Sequence, residues 1–355
     1  MTPELLHQVP PLHVLFVGPL YKGSTTRQRL DGLRKLGHRV TPVDQTPGDM
    51  IQRRFTLSWK VRRRLFGDWD ESRLNARLLA LPADLDPDVV WVEKGLTIEP
   101  ATLLALRGRW AHATQLVYSP DDQFNPRNQS RQWLACLKLW DLHVTTKTFN
   151  VPELLAAGAR DVCFVAKGFS PEVHRPHPVT PELRARLGAD VGFIGWPEAA
   201  RERSMRHLAA NGVPVRIWGP WPRRKAAPNL QVEGRPLWDE DYAAAISATR
   251  VNLGFLRRVN RDRHTTRSIE IPACGGFLLA ERTPEHLELF REGVEAEFFG
   301  DDHELLEKTR WYLAHEPERA RIAAAGLRRC LDSDYSNDHQ LTQILAHALA
   351  GRVAA

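Results

Sequence analysis

A short segment near residue 265 combines hydroxyls, an arginine and a carboxylate at the predicted start of a helix. Thr265, Thr266, Arg267 and Ser268 occupy its first turn, and Glu270 lies one turn further on. Free N–H groups at a helix start, with hydroxyls and a guanidinium beside them, suit a phosphate. The spacing therefore predicts a diphosphate on the helix start and ribose hydroxyls on Glu270, whose alternative role is that of a carboxylate stabilised by the helix dipole.

The elements that must position this segment alternate between strand and helix. The apolar run His13–Gly18, a glycine-rich turn, a helix over Thr25–Leu36 and the β-rich residues after Gly37 form a βαβ unit, which implies a parallel sheet. The same alternation reaches Val165, restarts at Val191–Gly195 and ends in helices. We therefore expect an α/β protein whose second half repeats the architecture of the first.

A proline-rich connector separates the two series. Pro171, Pro176, Pro178 and Pro181 follow one another closely, and clustered prolines stiffen a linker. The expected domains are residues 1–175, residues 176–335 and a terminal helix at 336–355 that packs back on the first domain. A chain of 355 residues is long enough for two cores.

Composition and charge limit the class of protein, its compartment and its kind of partner. With 43% hydrophobic and 26% charged residues the chain is an ordinary globular protein, and its four cysteines lack metal-binding spacing. Since the first residues do not form a signal peptide and no run of 18 apolar residues occurs, we expect a cytoplasmic protein. The net charge of +6 suits an anionic partner, but the sequence contains no nucleic-acid-binding module, so no nucleic acid is expected.

Several motifs in order resemble the C-terminal domain of group 1, CgeB-like glycosyltransferases. The resemblance covers roughly residues 190–345, and a less specific one extends over the N-terminal half. The motifs that carry it are Arg267-Ser268-x-Glu270-x-Pro272-Ala273-Cys274-Gly275-Gly276, Glu297-Phe298-Phe299, Asp302-x-Glu304-Leu305 and Tyr312-Leu313-Ala314-His315-x-Pro317-Glu318-Arg319, with Tyr118-Ser119-Pro120-Asp121-Asp122 in the first half.

This resemblance implies a GT-B fold, in which two Rossmann-like domains face a cleft, and a nucleotide-diphosphate-sugar donor with no bound metal or other cofactor. Retaining members of the wider group carry Glu-x7-Glu, with the second Glu on the ribose and the first near the donor sugar. Glu270 fits the second position. Asp262 stands at the first, a departure that leaves the stereochemical outcome open.

Further donor contacts are expected in two turns of the second domain. Related enzymes place basic side chains against the leaving diphosphate at the position of Gly195 and Trp196, which lead to Arg201 and Arg203. The alternative for either arginine is a solvated place on an ordinary helix. Arg235, before the helix predicted at 241–248, is expected near the base.

The first domain offers an acceptor or phosphate loop after its first strand. Gly18, Lys22, Gly23 and Ser24 lie in this turn, whose backbone N–H groups could approach an anion, although a structural role is the alternative for any single glycine. The turn is neither a Walker A motif nor a GxGxxG fingerprint.

Asp121 and Asp122 end a predicted strand of the first domain, at the edge of a parallel sheet where ligands collect. A carboxylate there could deprotonate an acceptor hydroxyl. The alternative is a turn or helix-capping role.

Two other patterns are weaker. Asp68-Trp69-Asp70 has the form of a metal-binding motif but lies in a polar connector, so we expect no metal site. Arg53–Phe66 alternates cations with aromatic and aliphatic residues in a way that a surface helix could present to anionic lipid, the alternative being a packed helix with solvated arginines.

The leading hypothesis is a sugar transfer from a nucleotide-sugar donor to a glycan, lipid or small-molecule acceptor. A nucleotide-sugar epimerase or a phosphorylase on the same fold, a non-catalytic sugar- or nucleotide-binding protein, and a basic nucleic-acid binder are the alternatives, because a fold does not fix a function.

Overall fold

The computed structural model describes residues 9–48, 50 and 56–353. They divide into two units: Lys167–Ser336 form the second, and the described residues up to Ala166 form the first together with the helix that begins at Asn337. Among the described residues, no helix has the length and apolar character needed to span a membrane.

The first unit is built on a parallel sheet of six strands in the order β2-β1-β3-β4-β5-β6. The strands β1 to β6 are His13–Gly18, Arg39–Asp44, Val89–Glu93, Thr114–Ser119, Leu142–Thr145 and Val162–Phe164. The helices α1 to α6 are Thr25–Lys35, Leu57–Phe66, Leu74–Leu79, Pro100–Arg109, Arg131–Cys136 and Asn150–Ala156, and the C-terminal helix, α14, is Asn337–Val353.

Alternate residues of β1 supply the cores on the two faces of this sheet, as the period of two in a strand requires. Val14 and Phe16 pack with α14, which contributes Leu341 and Leu345, whereas Leu15 and its neighbours on that side pack with α3 and α4. An ion pair of 2.7 Å between Lys35 and Asp338 also joins α1 to α14. The C-terminal helix is therefore part of the first unit.

The second unit repeats this plan with a parallel sheet in the order β12-β11-β10-β7-β8-β9. The strands β7 to β12 are Ala189–Ile194, Val215–Trp218, Leu230–Val232, Thr249–Gly254, Leu278–Glu281 and Glu297–Phe299. The helices α7 to α13 are Pro181–Leu187, Ala199–Ala210, Asp239–Ala248, Arg267–Ala273, Pro284–Leu289, Asp302–Ala314 and Glu316–Asp332.

Every strand of both sheets corresponds to an apolar or β-rich run that the sequence predicts, so the predicted α/β class is confirmed. The proline-rich connector behaves differently from a free linker. The Phe169 amide donates to the carbonyl of Tyr335 at 3.0 Å, the His177 amide donates to Ser247 Oγ at 3.1 Å, and Pro181 begins α7. The connector thus packs on the second unit, whose boundary falls at Lys167.

The four cysteines are buried and carry free thiols. Burial raises the pKa of Cys136 and Cys163 to about 11 and that of Cys330 to about 12, so these thiols stay protonated and unreactive at neutral pH.

Candidate functional site

The strand order of the second sheet creates a switch point between β7 and β10. The chain proceeds from β7 outward through β8 and β9 and then returns to the other side of β7 as β10. Loops that leave two such strands diverge, and the crevice between them is where ligands bind in open α/β sheets. Gly195 follows β7 here, and Phe255 follows β10.

Arg201, on α8, ties these two loops together. Its Nη1 donates to the carbonyl of Trp196 at 3.1 Å and its Nη2 to that of Phe255 at 3.4 Å, while the residue is only 1% exposed. Among the described residues, Nε of Arg201 has no acceptor and no carboxylate lies within ion-pair distance of the guanidinium. Burial, followed by the positive charge of Arg267, lowers the pKa of Arg201 to about 10. A second cation therefore lies close by.

That second cation is Arg267, the first residue of α10. Its Nη2 lies 3.2 Å from the position that a Cβ would take on Gly195, so the guanidinium reaches the turn after β7. Within the part of the chain that the structure describes, the Arg267 guanidinium makes no hydrogen bond or ion pair. Two cations with no carboxylate within ion-pair distance, at one switch point, are an arrangement suited to an anion, since buried charges are stable only when compensated.

Glu270 lies on the same helix, 5% exposed, between two protein donors. The Tyr242 hydroxyl donates to its Oε2 at 2.6 Å, and Nε2 of His174 lies 3.6 Å from its Oε1. Because His174 Nδ1 accepts from the Ser170 amide at 2.9 Å, Nε2 carries the proton in the neutral ring. Burial, then the Glu270 charge, raises the pKa of Tyr242 well above its usual value, so the phenol remains a donor.

The hydroxyl of Ser268 is used within the protein. The Thr265 amide donates to Ser268 Oγ at 3.0 Å, and Oγ lies 2.7 Å from Nε2 of His286. His286 Nδ1 lies 2.6 Å from the carbonyl of Glu281, which identifies it as the protonated nitrogen and Nε2 as the acceptor. Thr265 is buried and Thr266 half-buried at the helix start. This network fixes how α10 begins and occupies the Ser268 hydroxyl.

Asp262 lies in the loop that precedes this helix start. Its Oδ1 accepts from Asn260 Nδ2 at 2.9 Å and lies 3.8 Å from Nζ of Lys167, and both members of this ion pair are buried. The Arg257 amide donates to Oδ2 at 3.3 Å. The carboxylate is thus held in a fixed orientation by backbone, amide and cation together.

The other candidates of the second unit occupy different surroundings. Arg203 is exposed, two residues from Arg201 and so on another side of α8. Trp196 is 51% exposed, whereas Gly195 is half-buried and its carbonyl accepts from Trp221 Nε1 at 2.7 Å. Arg235 is exposed in the loop after β9, where its carbonyl accepts from the Gly219 amide at 2.8 Å. The structure thus brings Arg201, but not Arg203, to the switch point.

In the first unit the corresponding switch point lies between β1 and β3. A Cβ on Gly18 would lie 2.5 Å from Thr26 and 2.8 Å from Glu93, so this glycine permits close packing at the end of β1. Glu93 forms a buried ion pair of 2.6 Å with Arg29, whose guanidinium also lies 4.3 Å from the ring centroid of Tyr118. Arg29 and Glu93 therefore compensate each other's charge, and their role in the first unit is structural.

The loop after β1 has one exposed cation. Lys22 is exposed, while Gly23 adopts φ 78°, a left-handed conformation that favours glycine. Ser24 caps α1, because its Oγ accepts from the Arg27 amide at 3.1 Å and donates to the carbonyl of Pro19 at 2.9 Å. Ser24 therefore has a structural role in this turn.

The side chains of Asp121 and Asp122 lie in different surroundings. Oδ2 of Asp121 pairs with Nζ of Lys94 at 2.5 Å, and the Asp121 side chain is 19% exposed. Asp122 is 1% exposed and accepts from the Phe124 amide at 3.0 Å and from Asn150 Nδ2 at 3.1 Å. Asp122 thus holds the turn, and Asp121 is the carboxylate that solvent can reach.

The Asp-x-Asp pattern has structural partners. Asp68 pairs with Arg63 at 2.9 Å, and Asp70 accepts from the amides of Leu74 and Asn75 at 2.6 and 2.9 Å. No group of three or more histidine, cysteine or acidic side chains is arranged to hold a metal ion in the described ranges.

Sequence reasoning missed three residues that hold candidate groups in place, Lys94, Lys167 and Tyr242, and for the isolated His174 it favoured only a structural role. Each lies far along the chain from the residue that it contacts, so no local spacing reveals it. Tyr242 lies on the helix predicted at 241–248, but nothing in the pattern of that helix indicates a contact with Glu270.

Comparison with known proteins finds a family likeness in the second half of the chain. Residues 201–346, less than half of the chain, match a family model described as glycosyl transferase-like. That range contains both arginines of the anion site and Glu270. The chain matches no curated protein at a significant level.

Solved structures resemble the chain over nearly its whole length. A glycosyltransferase from Rickettsia africae matches with a TM-score of 0.65 and 13% identity over 96% of this chain and 98% of that one. HepE of Anabaena, in complex with UDP and glucose, matches with a TM-score of 0.60 and 13% identity over 96% and 99%. A structure described as a UDP-N-acetylglucosamine 2-epimerase, from Listeria monocytogenes, matches with a TM-score of 0.55 and 13% identity over 95% of each chain. These likenesses establish the GT-B fold.

Proposed function

We propose that this chain is a glycosyltransferase, of the CgeB-like type that its motifs resemble, which moves a hexose from a nucleotide-diphosphate-sugar donor to an acceptor. The observation that carries the proposal is the pair of guanidinium groups of Arg201 and Arg267 at the β7–β10 switch point, where no carboxylate of the described residues lies within ion-pair distance of either. An anion with several oxygens, such as a diphosphate, would neutralise both.

We propose that the same pair allows the reaction to proceed without a divalent ion. When the bond between the sugar and the diphosphate breaks, negative charge grows on the leaving oxygen. Fixed cations beside that oxygen lower the barrier, and they do so most effectively in a site shielded from water. Arg201 is already immobilised by two backbone carbonyls, so little reorganisation is required during the reaction.

Glu270 is proposed to bind the ribose. A carboxylate has about four lone-pair sites, and Tyr242 and His174 use at most two of them. The remaining sites can accept from two ribose hydroxyls in the orientation that these two neighbours impose. Asp262, at the first position of the Glu-x7-Glu pattern, is proposed to lie near the donor sugar with Lys167 beside it.

The acceptor is proposed to bind the first unit near Asp121, Lys94 and Lys22. A carboxylate oriented by a lysine can take a proton from an acceptor hydroxyl. A glycan, a lipid or a small molecule would each provide such a hydroxyl. The reaction is proposed to take place in the cytoplasm, where a soluble nucleotide-sugar donor is available.

A nucleotide-sugar epimerase is the second candidate, because one of the similar structures is described as an epimerase and shares the fold. An epimerase converts its substrate alone, whereas a transferase also needs an acceptor. The two functions therefore differ in what must be added to the protein.

The test is product analysis after incubation with a panel of nucleotide sugars, with and without a mixture of glycan and lipid acceptors. We expect nucleoside diphosphate and a glycosylated product only when an acceptor is present. Conversion of the nucleotide sugar to its epimer without acceptor would establish the alternative. In the same assay Arg267→Ala should form less product, and Arg328→Ala, which removes an exposed arginine of the second unit, is the matched control.

A further inference from the structure

Helix α2, Leu57–Phe66, has no buried residue. Its aliphatic residues Leu57, Val61 and Leu65 are spaced four apart and therefore form one stripe along the helix. Their side chains are 77%, 48% and 68% exposed, and Phe66 at the end of the helix is 77% exposed. Water therefore contacts a continuous apolar stripe on this helix.

The opposite side of α2 attaches it to the protein. Trp59 donates from Nε1 to Glu71 at 3.2 Å and packs on Trp69 at a centroid distance of 5.5 Å, and Arg63 pairs with Asp68 at 2.9 Å. At about 100° per residue, Trp59 and Arg63 lie about 180° around the helix from the middle of the apolar stripe. The attachment thus presents the stripe outward and leaves it uncovered by the described residues.

Cations flank the stripe on both sides. Lys60 and Arg64 lie on one side and Arg62 on the other, all three are exposed, and the helix contains no acidic residue. Lys60 and Arg64 form no ion pair with a carboxylate of the described chain. Arg62 lies over the Trp69 ring at 4.3 Å, so its charge too remains without a carboxylate.

We propose that α2 docks on the surface of an anionic lipid bilayer, with the stripe of Leu57, Val61 and Leu65 among the acyl chains and the three cations at the phosphates. The choice of lipid follows from charge, since cations that border a narrow apolar stripe match a surface that is apolar inside and anionic at its rim. This inference is independent of the proposed function. Residues 53–55, which the sequence includes in the same pattern, lie outside the described residues.

The test is co-sedimentation of the full chain with vesicles of phosphatidylcholine alone and of phosphatidylcholine with phosphatidylglycerol. We expect binding to the anionic vesicles only, weakened by added salt because surface charges are screened. The triple substitution L57S, V61S and L65S should abolish it. The control is the triple substitution L104S, L134S and L155S, which removes three aliphatic side chains that are 53%, 54% and 50% exposed elsewhere in the first unit.

A second variant tests whether the cations of α2 are required for binding to anionic vesicles. Replacing Lys60, Arg62 and Arg64 by glutamine should weaken binding to anionic vesicles by roughly tenfold or more, since each cation near such a surface contributes measurably to affinity. Arg131→Gln with Lys138→Gln is the control for lost charge on the same unit. All these positions are exposed, so the variants are expected to fold, which circular dichroism checks.

Three outcomes would overturn the proposal. Equal sedimentation with neutral and anionic vesicles would show an apolar contact without charge recognition, and no sedimentation with either would exclude the bilayer. A concentration-dependent dimer that disappears in the α2 serine variant, without vesicle binding, would instead identify a second copy of this chain as the occupant.

Discussion

The Tyr242 hydroxyl donates a hydrogen bond of 2.6 Å to Oε2 of Glu270, so a residue of α9 fixes the carboxylate that we propose for the ribose. His174, from the connector, faces the other oxygen at 3.6 Å. The orientation of the Glu270 carboxylate therefore depends on two segments distant in sequence. Substitutions at Glu270 and at Tyr242 can then distinguish a residue that binds the ribose from a residue that positions the carboxylate.

Glu270→Gln should weaken nucleotide binding by roughly one to two powers of ten, because a charge-assisted hydrogen bond contributes about 1.5–3 kcal/mol. Tyr242→Phe should weaken it less, because the carboxylate keeps its charge and loses only one donor. Calorimetric titration with a nucleoside monophosphate measures both. Equal losses in the two variants would mean that Glu270 acts through Tyr242 and does not contact the ribose.

Asp121 and Asp122 should respond differently to the same substitution. Asp121→Asn removes the ion pair with Lys94 at an accessible position and should lower turnover while the melting temperature stays near that of the wild type. Asp122→Asn places a donor among the Phe124 and Asn150 donors in a buried turn and should destabilise the first unit.

Melting curves and turnover with the identified acceptor separate these effects. Asp84→Asn, at an exposed position of the first unit, is the control. Wild-type turnover in Asp121→Asn would remove this residue from the mechanism.

The second unit should lose stability as the pH falls from neutral. Burial lowers the pKa of His286 from 6.5 to about 4, so the folded state keeps this ring neutral while the unfolded chain binds a proton. Stability from this group is complete above pH 6.5 and is lost as the pH falls toward 4. Between pH 7 and pH 5 the loss is about 2 kcal/mol.

Urea unfolding at the two pH values, for the wild type and for His286→Gln, isolates this contribution from that of the carboxylates. The glutamine variant should show a smaller difference between the two pH values. An unchanged difference would mean that another group dominates the acid sensitivity.

Transfer activity should survive EDTA, because Arg201 and Arg267 provide the positive charge that a divalent ion would otherwise place on the diphosphate. The measurement is product formation after chelation, with added Mg²⁺ or Mn²⁺ as the comparison. A complete loss that either ion restores would contradict the metal-independent mechanism.

The strands could be predicted because parallel strands covered on both faces are continuous apolar runs. His13–Gly18, for example, is buried throughout and has the predicted bounds. The sequence does not predict the helix at Pro181–Leu187, because the prolines before Pro181 indicate a linker. Proline is favourable at the first helical position, and here Thr180 caps the helix by accepting from the Leu183 amide.

The candidate site was less predictable than the sheet beneath it. Arg201 and Arg203 look equivalent in sequence, yet two residues turn a helix by about 200°, which buries one and exposes the other. Asp121 and Asp122 differ in the same way, because the tight turn after β4 directs one inward. The contacts of Tyr242, His174 and Lys167 depend on the folding of distant segments and leave no local pattern.

The central claim is that Arg201 and Arg267 bind a diphosphate, and calorimetric titration with a nucleoside and its mono- and diphosphate tests it directly. In the wild type, affinity should rise steeply from nucleoside to diphosphate. In Arg267→Ala the diphosphate should lose roughly tenfold or more while the nucleoside is unaffected, since the guanidinium contacts phosphate alone. Arg328→Ala should match the wild type. Unchanged diphosphate affinity in a folded Arg267→Ala protein would contradict the account.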